Sequence, residues 1–209
     1  LHDAVGGNSR GHQIAGLPCP LGGHYLPVPG ESAREVSEWL HEIGVARHEL
    51  GRTVYDERQL CHSPQERLFF DGAWHAGLLP PADAGSTTLA QYQRFAQRIA
   101  TAQELGFAMP TQRAPWTAAH AALDAVTFSE WLAREGLDDA RLRWYLDYCC
   151  RDDYGADAGT VSAWAGLHYF ASRHGFHAPG DAEGEREGVL TWPDGNAHLA
   201  RRLAAPLGE

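Results

Sequence analysis

Val5-Gly6-Gly7-Asn8-Ser9-Arg10 opens the chain, and Gly22-Gly23-His24-Tyr25-Leu26-Pro27-Val28-Pro29 follows soon after. A glycine doublet followed by polar residues and an arginine lets backbone approach an anion while the guanidinium neutralises it. The second run sets small residues beside an aromatic, as a backbone passing the face of a flat ligand requires. The chain begins on this motif, and the expectation is a piece of a larger protein.

Working outward, 209 residues make one large domain or two small ones, with enough chain for a sizeable core. Hydrophobic content of 44% and charged content of 21% are those of a globular protein. The net charge of -10 argues against nucleic acid or an anionic membrane as partner. All 17 basic residues are arginine, which removes Schiff-base lysine chemistry and a Walker A loop. Cys19, Cys61, Cys149 and Cys150 contain no Cys-x-x-Cys pair, so they read as buried free thiols, with Cys149 and Cys150 pointing to opposite sides of a helix. No apolar run reaches the roughly 20 residues that span a bilayer. No leader pattern is visible; cytoplasm and bacterial periplasm both stay open.

The pattern along the chain predicts an α+β fold, mostly helical with one small antiparallel sheet. Residues 1–29 read as irregular. Ser32-x-x-Glu35 is a capping box for a helix carrying Val36, Trp39, Leu40 and Ile43 and ending at Gly44. From Arg52 to Leu79 the strand signals Thr53-Val54-Tyr55, Arg67-Leu68-Phe69-Phe70 and Ala73 to Leu78 predict a meander or hairpin, with Asp71-Gly72 as its clearest turn. So small a sheet is expected to take partner strands from chain beyond this piece or from another subunit. Thr88-x-x-Gln91 predicts the cap of a long helix to about Leu105, Thr127-x-x-Glu130 that of a third, and Asp138 the start of a fourth. Between them, Pro110 and Pro115 break residues 107–126. A fifth helix is expected from Val161 to Ser172, a mobile loop over 177–188, and a last helix from Asp194 or Asn196 to about Leu207.

The ordered set of the two glycine motifs and a helix ending Leu40-His41-Glu42-Ile43-Gly44-Val45 resembles the flavin-dependent amine oxidase superfamily. Phe128-Ser129-Glu130-Trp131-Leu132 is similar to that family's substrate-domain helix, and Trp192-Pro193-Asp194-Gly195-Asn196 to its return toward the flavin domain. The runs from Cys149 to Gly155 and from Ser162 to Phe170 look like a signature of a bacterial branch of FAD- or NAD(P)-binding oxidoreductases. The resemblance implies the mostly helical substrate-binding domain of a two-domain flavoprotein. Residues 1–29 would be a flavin-contacting strap and 30–209 the substrate-binding domain. No Gly-x-Gly-x-x-Gly occurs, so the Rossmann core that holds the dinucleotide is expected to be missing.

By that resemblance Gly6, Gly7, Asn8, Ser9 and Arg10 would lie on the pyrophosphate side of FAD, and Gly22, Gly23, His24 and Tyr25 near its ring. The plainer alternatives are a glycine-rich turn with a solvated arginine, and a tight turn before a core tyrosine. Asp152, Asp153 and Tyr154 either line a substrate mouth or join Arg151 in an ion-pair cluster that holds a loop. Trp164, His168 and Tyr169 are either core or the aromatic wall of a substrate pocket.

FAD is expected in the full-length parent and not retained by this piece alone, which would be inactive by itself. The partners expected are a small-molecule substrate oxidised by hydride transfer and the missing FAD-binding domain; assembly with a second copy stays open. No catalytic base is assigned. His168, His174 and His177 lack a companion acid at ligand spacing, and His48-Glu49 lacks the second histidine of a zinc site, so no metal is expected. The alternative from another class is a non-enzymatic helical protein-interaction module.

Overall fold

A computed structural model describes residues 4–30, 33–61, 66–173, 175–179 and 188–207. In chain order its strands are β1 (Gly11–Ile14), β2 (Leu17–Pro20), β3 (Tyr25–Pro27), β4 (Ala46–Glu49), β5 (Arg52–Tyr55), β6 (Leu60–Cys61), β7 (Arg67–Phe70), β8 (Ala73–Ala76) and β9 (Val189–Thr191). Its helices are α1 (Arg34–Glu42), α2 (Thr87–Gln103), α3 (Ala118–Asp124), α4 (Phe128–Arg134), α5 (Ala140–Tyr154), α6 (Ala163–Ala171) and α7 (Ala197–Ala204). The α+β expectation holds: seven α-helices and small antiparallel sheets make up the described residues. The chain divides into two compact units, Leu1–Gln65 with Glu185–Glu209, and Glu66–Gly184.

The first unit is closed by a three-stranded antiparallel sheet in the order β3-β9-β6. Leu190 of β9 sits opposite both Leu26 and Leu60 and is fully buried. Around it pack Leu40, Val45, Ala46, Trp192 and Leu199, with Trp39 and Ile43 partly covered. The helical spacing of Trp39, Leu40 and Ile43 thus does place one face of α1 on a core. Ser32, the expected cap of α1, lies outside the described residues. The N-cap position is Ala33, which makes no side-chain cap.

Three expectations fail in this unit. Residues 4–29 are not irregular: β1 and β2 form a hairpin and β3 enters the sheet. The segment from Arg52 to Leu79 is not one meander either: β5 pairs with β4 and β6 with β9, while β7 and β8 form the expected hairpin on Asp71-Gly72 in the other unit. The expectation of partner strands from beyond this piece or from another subunit fails for β3 and β6, whose partner is residues 189–191, far along the same chain. The turns explain why two hairpins escape a sequence reading. Ala15-Gly16, Leu50-Gly51 and Asp71-Gly72 all have both turn residues at positive φ, the form that suits a two-residue hairpin loop. Only aspartate signals such a turn in sequence; alanine and leucine adopt it at a cost of about 1 kcal/mol.

The second unit is helical around Tyr92, Phe95, Ile99, Phe128, Leu132, Leu142, Leu146 and Phe170. Ser86, not Thr88, caps α2 by accepting from Leu89 N at 3.1 Å. Thr88 and Gln91 instead bind the start of α5: Thr88 Oγ1 donates to Asp139 at 2.7 Å, and Asp139 N donates to Gln91 Oε1 at 2.9 Å. Asp139 rather than Asp138 is the cap of α5, accepting from Arg141 N and Leu142 N, both at 3.0 Å. The Thr127/Glu130 capping box forms as expected. Next to it, Phe128 N donates to Val161 O at 2.8 Å and Ala163 N to Val126 O at 2.9 Å, locking the starts of α4 and α6 side by side. Within residues 107–126, read as broken, α3 is a real helix that starts just after Pro115 and Trp116. Cys149 and Cys150 are buried free thiols, as expected, and burial pushes each thiol up to about 12. Residues 180–187 of the expected mobile loop lie outside the described residues.

Candidate functional site

Both glycine motifs belong to the first unit, and the fold brings them together. Gly6 and Gly7 have φ of 111° and 50°, conformations open to glycine at little cost, and they start a tight 3₁₀ turn over Gly7–Ser9. Arg10 closes the turn: its Nε donates to Gly7 O at 3.1 Å. Gly23 N then donates to Asn8 O at 3.0 Å, so the second motif lies against the first. The approach at Gly22 is so close that an added Cβ would sit 2.3 Å from Asn8 O. On the far side Asn196 N donates to Gly23 O, and Asn196 Nδ2 donates to Tyr25 O, both at 2.9 Å. Asn196 is the N-cap of α7, and the Gly6 backbone touches that helix, an added Cβ lying 3.3 Å from Ala200 Cβ. His24 and Tyr25 are exposed, their rings edge to face at 4.8 Å.

The residues present are compatible with a flavin dinucleotide edge. Nothing lies within 4 Å of a Cβ built on Gly7, so its exposed side is open to a ligand. Asn196 Oδ1 and Trp192 Nε1 are buried polar atoms with no hydrogen-bond partner among the described residues. Such orphaned groups are uncommon in proteins, and a polar ligand is one way to satisfy them. Trp192, Gly195 and Asn196 were not singled out as site residues from sequence. Their signal was present in Trp192-Pro193-Asp194-Gly195-Asn196, but only the pairing of β9 with β3 brings that run beside Gly23. Gly195 is pressed in turn against Pro20, where a Cβ would lie 2.6 Å from Pro20 Cβ.

In the second unit the six expected substrate residues fall into two groups. Asp153 pairs with Arg173 at 2.6 Å, and the Arg173 guanidinium lies 4.5 Å over the Tyr169 ring. Burial works against the Arg173 charge, but the hydrogen bond and charge of Asp153 outweigh it and hold its pKa above the usual value. Tyr154 donates to Ala165 O at 2.8 Å, tying α5 to α6. Arg151 pairs with Asp147, and Asp152 is exposed. The second group is aromatic. Trp164 stacks on His168 with centroids 4.9 Å apart, and both lie against Phe107. His168 Nε2 donates to Ala108 O at 3.1 Å. Among the described residues no group of histidines, cysteines and acids could hold a metal.

Burial holds the His168 pKa below 6.5, with the Ala108 hydrogen bond opposing it. Below about pH 6.5 the unfolded chain takes up a proton that folded His168 resists, so stability falls with pH. His198 is also lowered, mainly by burial, and adds with the same sign. Urea midpoints are therefore expected to drop between about pH 7.5 and about pH 5.5, and His168→Gln to flatten that drop. An unchanged slope in the variant would remove His168 from the cause.

No family model matches the chain, and no curated protein matches it in sequence. Among solved structures, a putrescine oxidase with putrescine bound, from a redesign of cofactor binding, is similar to it in fold. The TM-score is 0.64 and the identity 19%, over 99% of this chain. The chain spans 42% of that protein's length. No described helix is long and apolar enough to cross a membrane.

Proposed function

We propose that these residues form the substrate-binding portion and one cofactor edge of a flavin-dependent oxidoreductase, similar to amine oxidases, that oxidises a small organic molecule. The observation that carries this reading is the convergence of Gly6–Arg10, Gly22–Tyr25 and Asn196 on one side-chain-poor surface. The fold likeness to a putrescine oxidase supports it at the level of architecture. FAD, when bound, would supply the hydride-accepting chemistry.

The roles of the chain's own groups follow from their chemistry. The Gly6–Ser9 backbone lets an anionic diphosphate approach closely, and Arg10 neutralises part of its charge. Gly22 and Gly23 let the second motif pack directly on Asn8 and Asn196, which sets the backbone that leads into His24 and Tyr25 beside a flat ring. Asn196 Oδ1 accepts a hydrogen bond from the ligand. Residues 1–29 act as the strap, and 30–209 chiefly as the substrate-binding part. Asp152, Asp153, Tyr154, Trp164, His168 and Tyr169 contribute to substrate binding, and no residue is assigned as a catalytic base.

A second reading rests on Phe69 and Trp74, which are 58% and 67% exposed on the β7–β8 hairpin: a helical module that docks a partner without catalysis. A visible spectrum of the protein made from the whole reading frame containing this segment separates the two. The flavin reading predicts oxidised-flavin absorbance that an added amine bleaches without oxygen. A colourless protein that stays colourless with added FAD favours the docking module.

A further inference from the structure

His120 is fully buried on α3, and its ring proton can be located. Thr117 N, which can only donate, lies 3.2 Å from His120 Nδ1, so Nδ1 accepts and Nε2 carries the hydrogen. Thr117 Oγ1, at 2.8 Å, adds a donor to the same nitrogen. Nε2 itself is buried and has no hydrogen-bond partner among the described residues. The same is true of Trp164 Nε1, an indole nitrogen that can only donate.

These two donors belong to one aromatic group. Phe107 lies 5.3 Å from the His120 ring and 5.7 Å from Trp164. Trp116 stacks near-parallel on His120 at 6.2 Å and lies 5.7 Å from Trp164. Trp116, 61% exposed, is the member most open to solvent, and Trp164 is partly buried. Leaving a buried donor unsatisfied costs about 1–3 kcal/mol, so two in one cluster call for an acceptor.

We propose that His120 Nε2 and Trp164 Nε1 form a binding site for the carbonyl or carboxylate oxygen of a flat, largely apolar molecule, which enters beside Trp116 and packs on Phe107. Two N–H donors oppose an ammonium group and favour an oxygen acceptor, while the aromatic rings favour a planar body. The proposal does not rest on the flavin reading, although Trp164 is also among the substrate residues proposed above: the two unpartnered donors are there with or without a flavin.

The test uses benzoate and benzamide as acceptor probes and benzylamine as the cationic counterpart. Each is titrated into isotope-labelled protein while the Trp164 indole N–H resonance is followed, with calorimetry for affinity. Benzoate or benzamide is expected to shift that resonance saturably, and benzylamine is not. His120→Phe keeps the ring and removes the donor, and Trp164→Phe does the same at the other position. Each is expected to weaken binding about tenfold or more. Either the absence of a saturable shift or equal binding of benzylamine would overturn the proposal, as would unchanged affinity in both folded variants. Should a variant not fold, the wild-type resonance decides alone. A colourless protein that still binds benzoate here would refute the flavin reading and leave this site standing.

Discussion

Gly166→Ala is expected to destabilise the helical unit by roughly 2–3 kcal/mol, although it replaces a poor helix former with the best one. Gly166 is buried in α6 at the place where α4 crosses it. A Cβ built there would stand 2.4 Å from both Cγ and Cδ1 of Phe128. That ring is fully buried, packed near Phe95 and Trp131, and it has no solvent to move into. The backbone cannot open easily either, because Phe128 N–Val161 O and Ala163 N–Val126 O fasten the two helix starts together. The helix-propensity gain of about 1 kcal/mol is therefore smaller than the overpacking cost. Chemical denaturation should show a lowered midpoint, and Gly166→Ala combined with Phe128→Leu should recover part of the loss, giving a non-zero coupling energy. A single variant as stable as the parent would mean that α4 and α6 are not in this contact.

Gly22→Ala is expected to have the largest effect on cofactor retention. Its Cβ would stand 2.3 Å from Asn8 O and 2.4 Å from Asn8 Oδ1. Asn8 O is backbone and already accepts from Gly23 N, so relief comes only by separating the two glycine motifs. In the whole protein, FAD affinity should fall by about tenfold to a hundredfold, corresponding to roughly 1.4–2.8 kcal/mol. The helical unit, which contains none of these residues, should keep its own unfolding transition. Gly30→Ala is the matched control in the same unit, where φ is not positive and nothing lies within 4 Å of the added carbon. It should retain flavin; equal loss in both variants would argue for general destabilisation of the first unit.

The helices were largely legible because their signals are local. Thr127 and Glu130 close a capping box four residues wide, and Leu142, Leu146 and Cys149 recur on one face of α5. Even there, Thr88 and Gln91 had the spacing of a cap but served a contact with Asp139, which no local pattern encodes. The small strands were mostly illegible. A strand as short as Val189–Thr191 has no usable periodicity, and its burial depends on β3 and β6 from the other end of the chain. The glycine motifs stood out in sequence. That Trp192, Gly195 and Asn196 join them is a consequence of that same long-range pairing. His120 gave no signal, because its distinguishing property is an unpartnered nitrogen among Phe107, Trp116 and Trp164, which only packing creates.

Photolabelling tests the cofactor assignment most directly. The protein from the whole reading frame is loaded with a photoreactive FAD analogue, irradiated and digested, and the modified peptides are sequenced. The flavin reading predicts label within residues 4–30 or 188–207, suppressed by excess FAD and reduced in Gly22→Ala. Label confined to residues outside both segments, with stoichiometric flavin bound, would contradict it.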